Sequence, residues 1–302
     1  MTPTVWVTGA GGFTGRFMIA ALKSQQHTVR VVGLDIRVPE HHQADVFLEK
    51  DMGDIDAIAA AARAEPPDFV IHLAGLMPPF GEEEMRRVNV DASINLIKAL
   101  DANNHKVRLV SAGSAGEYLP GNQPLSEDAP VGGTNPYGRT KAEQTKALIE
   151  FESDTVEVVV ARPFNLVGPG LSPNLVAGGM LEQFFDTGRS EGFVAPRGPI
   201  DSVRDFIDVR DVCAAYWLLA ERGETGQVYN ISSGKGTPVV RIIEIMQDIL
   251  KIDIDIRPAY DPEVIKPDSF VGDNRKLAAL GWRPVISLEQ SLRDMVEQRQ
   301  KI

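Results

Sequence analysis

Apolar runs of strand length alternate with helix-length segments along the first half of the chain. These runs are apolar at consecutive positions, which is typical of strands that helices cover on both faces. They predict strands over 5–7, 29–34, 69–73, 107–110 and 156–161, and helices over 14–25, 55–64, 82–102 and 137–152. Because repeated strand–helix–strand units join by right-handed crossovers, we predict an α/β fold with a doubly wound parallel sheet.

The second half is less regular, and Gly and Pro become frequent after about residue 165. Helices are predicted there over 176–188, 209–222, 238–250 and 288–300. No internal repeat or low-complexity linker separates the two halves. We therefore predict a dinucleotide-binding sheet domain over 1–165 and a smaller C-terminal substrate-binding lobe over 166–302, which is interleaved with late elements of the sheet. The cleft between the lobes is the predicted site.

Charge and composition exclude several classes of function. The 302 residues carry 31 Lys and Arg against 42 Asp and Glu, a net charge of −11, so the surface repels a nucleic-acid backbone. A small phosphorylated ligand remains compatible, because a pocket can be locally positive. Cys213 is the only cysteine, and no His or Cys cluster has zinc-ligand spacing, so we expect neither a disulfide nor a metal site. No apolar run approaches the roughly 18 residues of a spanning helix, and no signal-peptide pattern is present, so we expect a soluble, cytoplasmic protein with no membrane partner.

A glycine-rich turn joins the first predicted strand to the first predicted helix. Gly9, Gly12 and Gly15 lie three residues apart, a spacing that permits a tight turn and lets the backbone approach a pyrophosphate at the helix N-terminus. Asp35 follows Gly15 by 20 residues at the end of the second strand, where a carboxylate accepts hydrogen bonds from an adenosine ribose and repels a 2′-phosphate. This predicts a Rossmann-type site for a dinucleotide, with NAD favoured. Arg37 leaves NADP possible, since its guanidinium could hold the 2′-phosphate.

Tyr137 and Lys141 lie four residues apart in a predicted helix, so both side chains emerge on one face. A phenol titrates near pH 10, which is too high for efficient proton exchange at neutral pH. The neighbouring ammonium and the positive charge of a bound nicotinamide both favour the phenolate and so lower that pKa. We therefore predict that Tyr137 exchanges a proton with the substrate, while Lys141 tunes it and holds the nicotinamide ribose.

The glycine turn over 8–15 together with Tyr137-Gly138-Arg139-Thr140-Lys141 resembles the extended branch of the short-chain dehydrogenase/reductase superfamily, the NAD-dependent epimerase/dehydratase family. Further segments carry the resemblance over nearly the whole chain: His72-Leu73-Ala74-Gly75, Val88-Asn89-Val90, Arg162-Pro163-Phe164-Asn165, 204–212 and Tyr229-Asn230-Ile231. The resemblance implies an NAD(P)-dependent enzyme that acts on a nucleotide-linked sugar.

The third catalytic group is implied by this resemblance. In the family, the catalytic serine or threonine lies four residues before a tyrosine, which here gives Ser114 before Tyr118. Ser111 is then implied to lie near the cofactor with a secondary role. Ala112 and Ala115 depart from the usual Ser-Ser pattern of this loop. The implied catalytic set is Ser114, Tyr137 and Lys141.

The resemblance also implies which residues bind the two ligands. The cofactor-binding set is Gly9, Gly12, Phe13, Thr14, Gly15, Asp35, Asp51, Met52, Leu73, Ala74, Gly75, Asn89, Ser111, Tyr137, Lys141, Arg162 and Pro163. The substrate-binding set is Ser114, Tyr137, Asn165, Asn174, Arg204 and Lys266. Asp51 and Met52 are implied to bracket the adenine ring. Arg204 is implied as the leading diphosphate ligand, because a guanidinium matches phosphate bidentately, whereas Lys266 would contact phosphate as a point charge.

The residues directly after Ser114 narrow the reaction class. Dehydratases of this branch place an acidic residue one or two positions after the catalytic hydroxyl, but Ala115 and Gly116 stand there and Glu117 comes one residue late. The segments 161–165, 168–170, 203–212, 226–234 and 281–284 resemble those of reductases of GDP-4-keto-6-deoxy-D-mannose, and this resemblance favours reduction of a C4 keto group. A 4-epimerase acting on a UDP- or GDP-hexose is the alternative. A non-catalytic NAD-binding regulator is less favoured, because the Tyr and Lys of the catalytic pair are both present.

Relatives in the extended branch pair two long helices across a two-fold axis as a four-helix bundle. The corresponding helices here are those predicted over 82–102 and 137–152. Four residues of the first of them supply more apolar surface than one sheet face needs: Ile94, Leu96, Ile97 and Leu100. We therefore predict a homodimer.

Overall fold

Parallel strands form the central layer of the computed structural model, which describes residues 2–24, 27–121, 124–187 and 193–301. The strands of these described residues are, in chain order, β1 (Thr4–Thr8), β2 (Arg30–Asp35), β3 (Val46–Glu49), β4 (Phe69–His72), β5 (Val107–Ala112), β6 (Val156–Pro163), β7 (Asn165–Val167), β8 (Phe193–Val194), β9 (Val203–Asp208), β10 (Val228–Ile231), β11 (Gly236–Pro238), β12 (Asp255–Ile256) and β13 (Ser269–Phe270). The helices are α1 (Phe13–Lys23), α2 (Ile55–Ala64), α3 (Glu82–Arg86), α4 (Ala92–Asp101), α5 (Pro136–Ile149), α6 (Val176–Thr187), α7 (Val209–Arg222), α8 (Val240–Leu250), α9 (Arg275–Ala279) and α10 (Leu288–Gln300).

The central sheet has the strand order β10–β6–β5–β4–β1–β2–β3, and every neighbouring pair is parallel. The strand order reverses between β1 and β4, which confirms the doubly wound α/β sheet predicted from the alternation of strands and helices. In such a sheet ligands bind beyond the carboxyl ends of the strands, at the point of reversal. Thr8, Asp35 and His72 end β1, β2 and β4 and therefore mark that edge.

Helices cover both faces of this sheet. On one face α1 and α7 pack on the strands, and Met18, Leu22, Cys213 and Leu219 are among their fully buried side chains. On the other face the covering helices are α2, α4 and α5. Burial on both faces explains why the strands have no polar alternation.

A smaller layer follows β6. Strand β9 pairs with β7 and β13 in parallel and with β11 antiparallel, and helices α6, α8 and α10 enclose an apolar core beside it. The chain then returns to the central sheet, because β10 adds to the edge of β6 and α7 packs on α1. The domain boundary between residues 165 and 166 stays a prediction. β10 and α7 lie after this boundary in the chain but belong to the central sheet and its covering layer.

The helix predicted over 82–102 is interrupted. A π turn spans Arg87–Asp91 between α3 and α4, and Asn89 within it has no exposed surface. Such turns place one extra residue in a helix and are frequent at functional sites. Of the other predicted helices, two extend to Gln25 and Gly188, and these two residues lie outside the described part of the chain.

The apolar residues on which the predicted dimer depends lie mostly inside the single chain. Leu96, Ile97 and Leu100 are at most 2% exposed and belong to the core between α4 and the sheet. Only Ile94 is half-buried. The expectation of surplus apolar surface is therefore wrong, because the π turn and α4 bring this face against the sheet, and the homodimer itself remains a prediction.

Within residues 2–24, 27–121, 124–187 and 193–301, no helix is both long and apolar enough to cross a membrane. The same residues contain no group of three or more His, Cys, Asp or Glu side chains placed to hold a metal ion.

Candidate active site

The glycine turn lies at the carboxyl end of β1 and opens α1. Gly9 has a φ of +64°, and a Cβ atom there would lie 2.8 Å from the backbone nitrogen of Ala74. Gly12 is the N-cap of α1, makes no side-chain capping bond, and no acidic residue stands in the first turn. In the described structure no side chain caps this end of α1. The N–H groups of Phe13 and Thr14 are therefore available to bind an anion, as a pyrophosphate site requires.

Asp35 lies beside this turn at the end of β2. Its Oδ2 accepts a hydrogen bond from the Gly11 backbone N–H at 2.9 Å, and its Oδ1 accepts one from the Ile36 N–H at 2.7 Å. The carboxylate is thus fixed at the edge of the pyrophosphate site and stays half-buried. This arrangement fits an adenosine ribose. Arg37 is exposed nearby, so the NADP alternative keeps its candidate cation.

The other residues predicted to contact the adenosine and nicotinamide parts of the cofactor lie at the same edge of the sheet. Met52 is 6% exposed, whereas Asp51 is exposed and its Oδ1 accepts a hydrogen bond from the Gly53 N–H at 2.8 Å. Leu73 and Ala74 follow β4 directly, and their N–H groups both donate to Thr8 Oγ1 at 3.2 Å. Gly75 is exposed in the same loop.

Asn89 supports that loop rather than opening onto the cleft. Its Oδ1 accepts from the Leu76 N–H at 2.7 Å, and its Nδ2 donates to the Leu76 carbonyl at 3.0 Å and to Thr140 Oγ1 at 3.1 Å. The side chain is fully buried. The structure therefore uses this amide to tie the loop after β4 to α5, and direct contact with the cofactor remains a prediction.

Tyr137 lies in the first turn of α5, where Asn135 caps the helix by accepting a hydrogen bond from the Gly138 N–H at 2.9 Å. The Tyr137 hydroxyl is hydrogen-bonded to Ser114. Burial raises the pKa of Tyr137, and the bond with Ser114 reverses only part of that shift. The sequence predicts a lowered pKa from Lys141. In the chain without its cofactor the pKa is instead raised, because desolvation by burial is the largest influence and the charge of Glu117 adds to it, so the phenol is favoured. The lowering of the pKa by the nicotinamide charge stays a prediction.

Lys141 lies one helical turn after Tyr137 and is 4% exposed. Its Nζ donates to the backbone carbonyl of Ala112 and to Oε1 of Gln144. Burial lowers the pKa of Lys141 to about 8, and the charge of Glu117 opposes that change. Ser111, at 1% exposure, lies beneath this group, with its Oγ 3.5 Å from Gln144 Nε2. The structure thus brings Ser114, Tyr137, Lys141 and Ser111 together.

Sequence reasoning missed a buried ion pair behind Ser114. Glu117 is fully buried; its Oε1 accepts from the Ser114 N–H and its Oε2 from Arg162 Nε, both at 2.8 Å. The Arg162 guanidinium also lies 4.7 Å from the centroid of the Tyr118 ring. The spacing of Ser114 and Glu117 is that of a capping box, which is the signal that could have revealed half of this arrangement. The Arg162 guanidinium is therefore occupied by contacts within the protein. Of the two cofactor ligands predicted at the end of β6, Arg162 and Pro163, the half-buried Pro163 remains available to the cofactor.

A cavity of about 560 Å³ lies in the smaller layer and is lined by both polar and apolar residues. Two arginines, Arg197 and Arg204, and the predicted substrate ligand Asn174 line it. Arg204 is held by Asp268, whose Oδ1 accepts from Arg204 Nη2 at 2.7 Å. The position of Arg197 in the cavity wall makes it a further candidate ligand for the nucleotide.

Two other predicted substrate ligands, Asn165 and Lys266, do not line this cavity. Asn165 uses its Nδ2 to donate to the Asp205 carbonyl at 3.0 Å, which joins β7 to β9. Lys266 is exposed outside the cavity wall, and its Nζ contacts the Pro262 carbonyl at 3.0 Å and Glu263 at 3.4 Å. Lys266 therefore does not line the cavity with Arg204, and its role stays a prediction.

Known proteins share this fold. The sequence profile of the NAD dependent epimerase/dehydratase family matches residues 5–232. GDP-6-deoxy-D-mannose reductase of Pseudomonas aeruginosa is 31% identical over 97% of this chain and 96% of its own length. UDP-glucose 4-epimerase of Lactobacillus helveticus is 26% identical over 93% of this chain and 92% of its own.

Among solved structures, that of RMD from Pseudomonas aeruginosa complexed with NADPH superposes with a TM-score of 0.85 at 29% identity and covers 99% of both chains. The strand order, the glycine turn and the pairing of Tyr137 with Lys141 are the features that these matches span. The chain thus belongs to the NAD dependent epimerase/dehydratase family, the extended branch of the short-chain dehydrogenases/reductases, and is an NAD(P)-dependent enzyme.

Proposed function

We propose that this enzyme reduces the C4 keto group of a nucleotide-linked 4-keto-6-deoxyhexose, with a GDP-linked sugar favoured. The observation that carries the proposal is the state of Tyr137: it is a phenol hydrogen-bonded to Ser114, so it can donate a proton to a carbonyl oxygen that binds between the two side chains. Similarity to the GDP-6-deoxy-D-mannose reductase of Pseudomonas aeruginosa supports the choice of sugar and nucleotide.

The environment of Glu117 argues against dehydration. A dehydratase needs an acid near Ser114 that protonates a leaving hydroxyl. Glu117 is the acidic residue in this segment, but both of its oxygens are engaged, one by the Ser114 N–H and one by Arg162. With no exposed surface, it has no path to a sugar hydroxyl.

Each catalytic group then has one task in the reduction. A bound reduced nicotinamide supplies the hydride that C4 accepts. Ser114 polarises the keto oxygen, and Tyr137 donates the proton to it. The Lys141 ammonium lies one turn away and stabilises the phenolate that remains.

The cavity in the smaller layer is the proposed binding site for the nucleotide of the substrate. Its volume of about 560 Å³ is in the range of small-molecule sites, roughly 300–1,000 Å³. Arg204 can bind the diphosphate bidentately, and Arg197 and Asn174 add donors on the same wall.

The test is reduction of candidate sugars by the purified enzyme. GDP- and dTDP-linked 4-keto-6-deoxyhexoses are offered with NADH or NADPH, and loss of absorbance at the nicotinamide band is followed. We expect consumption with the GDP-linked sugar and a 6-deoxyhexose product. Absence of consumption with both sugars, accompanied by interconversion of UDP-hexose epimers, would favour the other candidate instead.

That candidate, a nucleotide-sugar 4-epimerase, is supported by the similarity to the UDP-glucose 4-epimerase of Lactobacillus helveticus. The two reactions differ in how the cofactor is used. An epimerase regenerates its NAD and retains it through purification, whereas a reductase must exchange it at every turnover. A non-catalytic regulator is disfavoured, because Tyr137 and Lys141 are both in place.

We also propose that two copies pair through the helices over 82–102 and 137–152 as a four-helix bundle. Within one chain, α3 and α5 are already joined by exposed ion pairs, Arg139 with Glu82 at 2.8 Å and Arg86 with Glu143 at 2.7 Å. Light scattering at micromolar concentration tests this, and a monomer would exclude it.

A further inference from the structure

A set of buried polar side chains connects Lys141 to the glycine turn. Its members come from four different elements and are each at most 1% exposed: Gln144 of α5, Ser93 of α4, His72 of β4 and Thr8 of β1. None of them has a role in the reduction described above. Buried polar groups are costly unless they are hydrogen-bonded, so the contacts that they make are informative.

The contacts form a continuous chain. Gln144 Oε1 accepts from Lys141, and Gln144 Nε2 donates to Ser93 Oγ at 2.8 Å. Ser93 Oγ lies 2.8 Å from His72 Nε2. His72 Nδ1 lies 2.7 Å from Thr8 Oγ1.

The chain has one consistent direction. Ser93 Oγ donates its proton to the Asn89 carbonyl at 2.7 Å, so it must accept from both Gln144 and His72. The proton of neutral His72 is therefore on Nε2, and Nδ1 accepts from the Thr8 hydroxyl. A flipped Gln144 amide would point its NH₂ at the Lys141 ammonium and its oxygen at a hydroxyl with no proton to give.

His72 adds no second charge to this interior. Burial and the nearby Lys141 ammonium lower the pKa of His72 to about 3, so the ring is neutral at working pH. The ionisable groups that face Lys141 are His72 from β4, Glu117 from a 3₁₀ turn over Ala115–Glu117, and Tyr137 from its own helix. Of these, Glu117 forms the ion pair with Arg162, and its negative charge favours the Lys141 ammonium.

The consequence for Lys141 is geometric. An ammonium has three N–H donors, and the Ala112 carbonyl and Gln144 Oε1 take two of them. The third is left for the cofactor ribose or for Tyr137. We propose that Gln144 is a positioning residue, which fixes the direction of the Lys141 ammonium and is itself held in one orientation by Ser93 and His72. The proposal rests on the proposed function for the catalytic role of Lys141.

Two variants and one control test this role of Gln144. Gln144→Met keeps the length of the side chain and removes both hydrogen bonds, whereas Gln144→Glu keeps an acceptor for Lys141 and adds a negative charge. Thr145→Val is the control: Thr145 is the next residue of α5, is 7% exposed, and its hydroxyl has no partner in the described part of the chain.

The first readout needs neither cofactor nor substrate. Lysine labelled with ¹³C at Cε reports the titration of Lys141 by NMR, with Lys141→Met assigning its signal. We expect the midpoint to fall by about 1 pH unit or more in Gln144→Met, since a hydrogen bond to the charged form is lost. It should rise in Gln144→Glu and stay unchanged in Thr145→Val. Equal midpoints in all four proteins would overturn the proposal, and if Gln144→Met does not fold, Gln144→Glu decides it.

The second readout uses turnover. We expect kcat of Gln144→Met to fall roughly 10- to 100-fold, the worth of one hydrogen bond to a charged group, with the alkaline limb of its pH profile moved to lower pH. A role in folding alone would leave that limb in place and would overturn the proposal. Failure of the enzyme to reduce any candidate sugar would reject the proposed function, while the NMR titration would still decide the role of Gln144.

Discussion

Glu117 and Arg162 form an ion pair inside the protein, with Oε2 2.8 Å from Nε and side chains 0% and 5% exposed. Removing one member of such a pair leaves the other buried without a counter-charge. We expect Glu117→Gln to lower the free energy of unfolding by about 3–5 kcal/mol, measured by denaturant unfolding.

The matched control for that variant is Glu244→Gln. Glu244 pairs with Arg241 at the same 2.8 Å, but both side chains are about half exposed, so we expect a loss of about 0–1 kcal/mol. Equal losses in the two variants would mean that the buried pair does not stabilise the loop behind Ser114.

Tyr137→Phe separates catalysis from binding. The ring and its packing are retained, but the proton donor is deleted, so we expect turnover to fall roughly 10²–10⁴-fold. Affinity for NADH, measured by fluorescence titration, should change little, because the glycine turn and Asp35 carry most of that binding. Lys141→Met should lower turnover and NADH affinity together. Near-normal turnover of Tyr137→Phe would assign the proton to another group.

Asp35 should set the choice of cofactor. Its carboxylate is fixed by the Gly11 N–H and would oppose a 2′-phosphate, so the wild type should use NADH at least as well as NADPH. Asp35→Ala should raise kcat/KM for NADPH relative to NADH. Asp51→Ala removes an exposed carboxylate on the adenine side and should leave that ratio unchanged. A wild type that binds NADPH far more tightly than NADH contradicts this role of Asp35.

His72 should make stability depend on pH. Burial lowers the pKa of His72 from 6.5 to about 3, so between these values the unfolded chain binds a proton that the folded protein does not. Stability from this group is present above pH 6.5 and is lost as the pH falls. We expect a loss of about 2 kcal/mol between pH 6.5 and 4.5 in the wild type that is absent in His72→Gln. Denaturant unfolding of both proteins at the two pH values measures the difference, and identical slopes would contradict it.

Arg204 and Lys266 can be compared through the binding of GDP by calorimetry. Arg204 lines the cavity, so Arg204→Met should raise the Kd roughly 10- to 100-fold through loss of a charge-assisted contact. The Lys266 side chain is 63% exposed outside it, so Lys266→Met should change the Kd less than about threefold. Equal effects would restore the role that the sequence predicted for Lys266.

The parts of the site that could be predicted from sequence are local in the chain. The glycine turn needs only residues 9–15, and the pairing of Tyr137 with Lys141 needs only one helical turn. The geometry of each is fixed by backbone conformation within a few residues, so spacing alone reveals it.

The parts that could not be predicted depend on contacts between distant segments. Glu117 and Arg162 are 45 residues apart and meet because β5 and β6 pair in parallel, with Ala112 opposite Ala161. Gln144 and Ser93 are separated by 51 residues. The composition of the sequence gives no signal for the π turn. It is revealed only by the structure, in which Asn89 is buried.

The return of the chain to its first layer restricts how the protein can be divided. A fragment ending at 165 would expose the edge of β6 that β10 occupies, and it would uncover the apolar face of α1 on which α7 packs. An open strand edge beside an apolar face invites aggregation. A chimaera that transfers substrate specificity between relatives should therefore leave 209–231 with its own sheet, together with α9 and Trp282, which pack on β10 and α7.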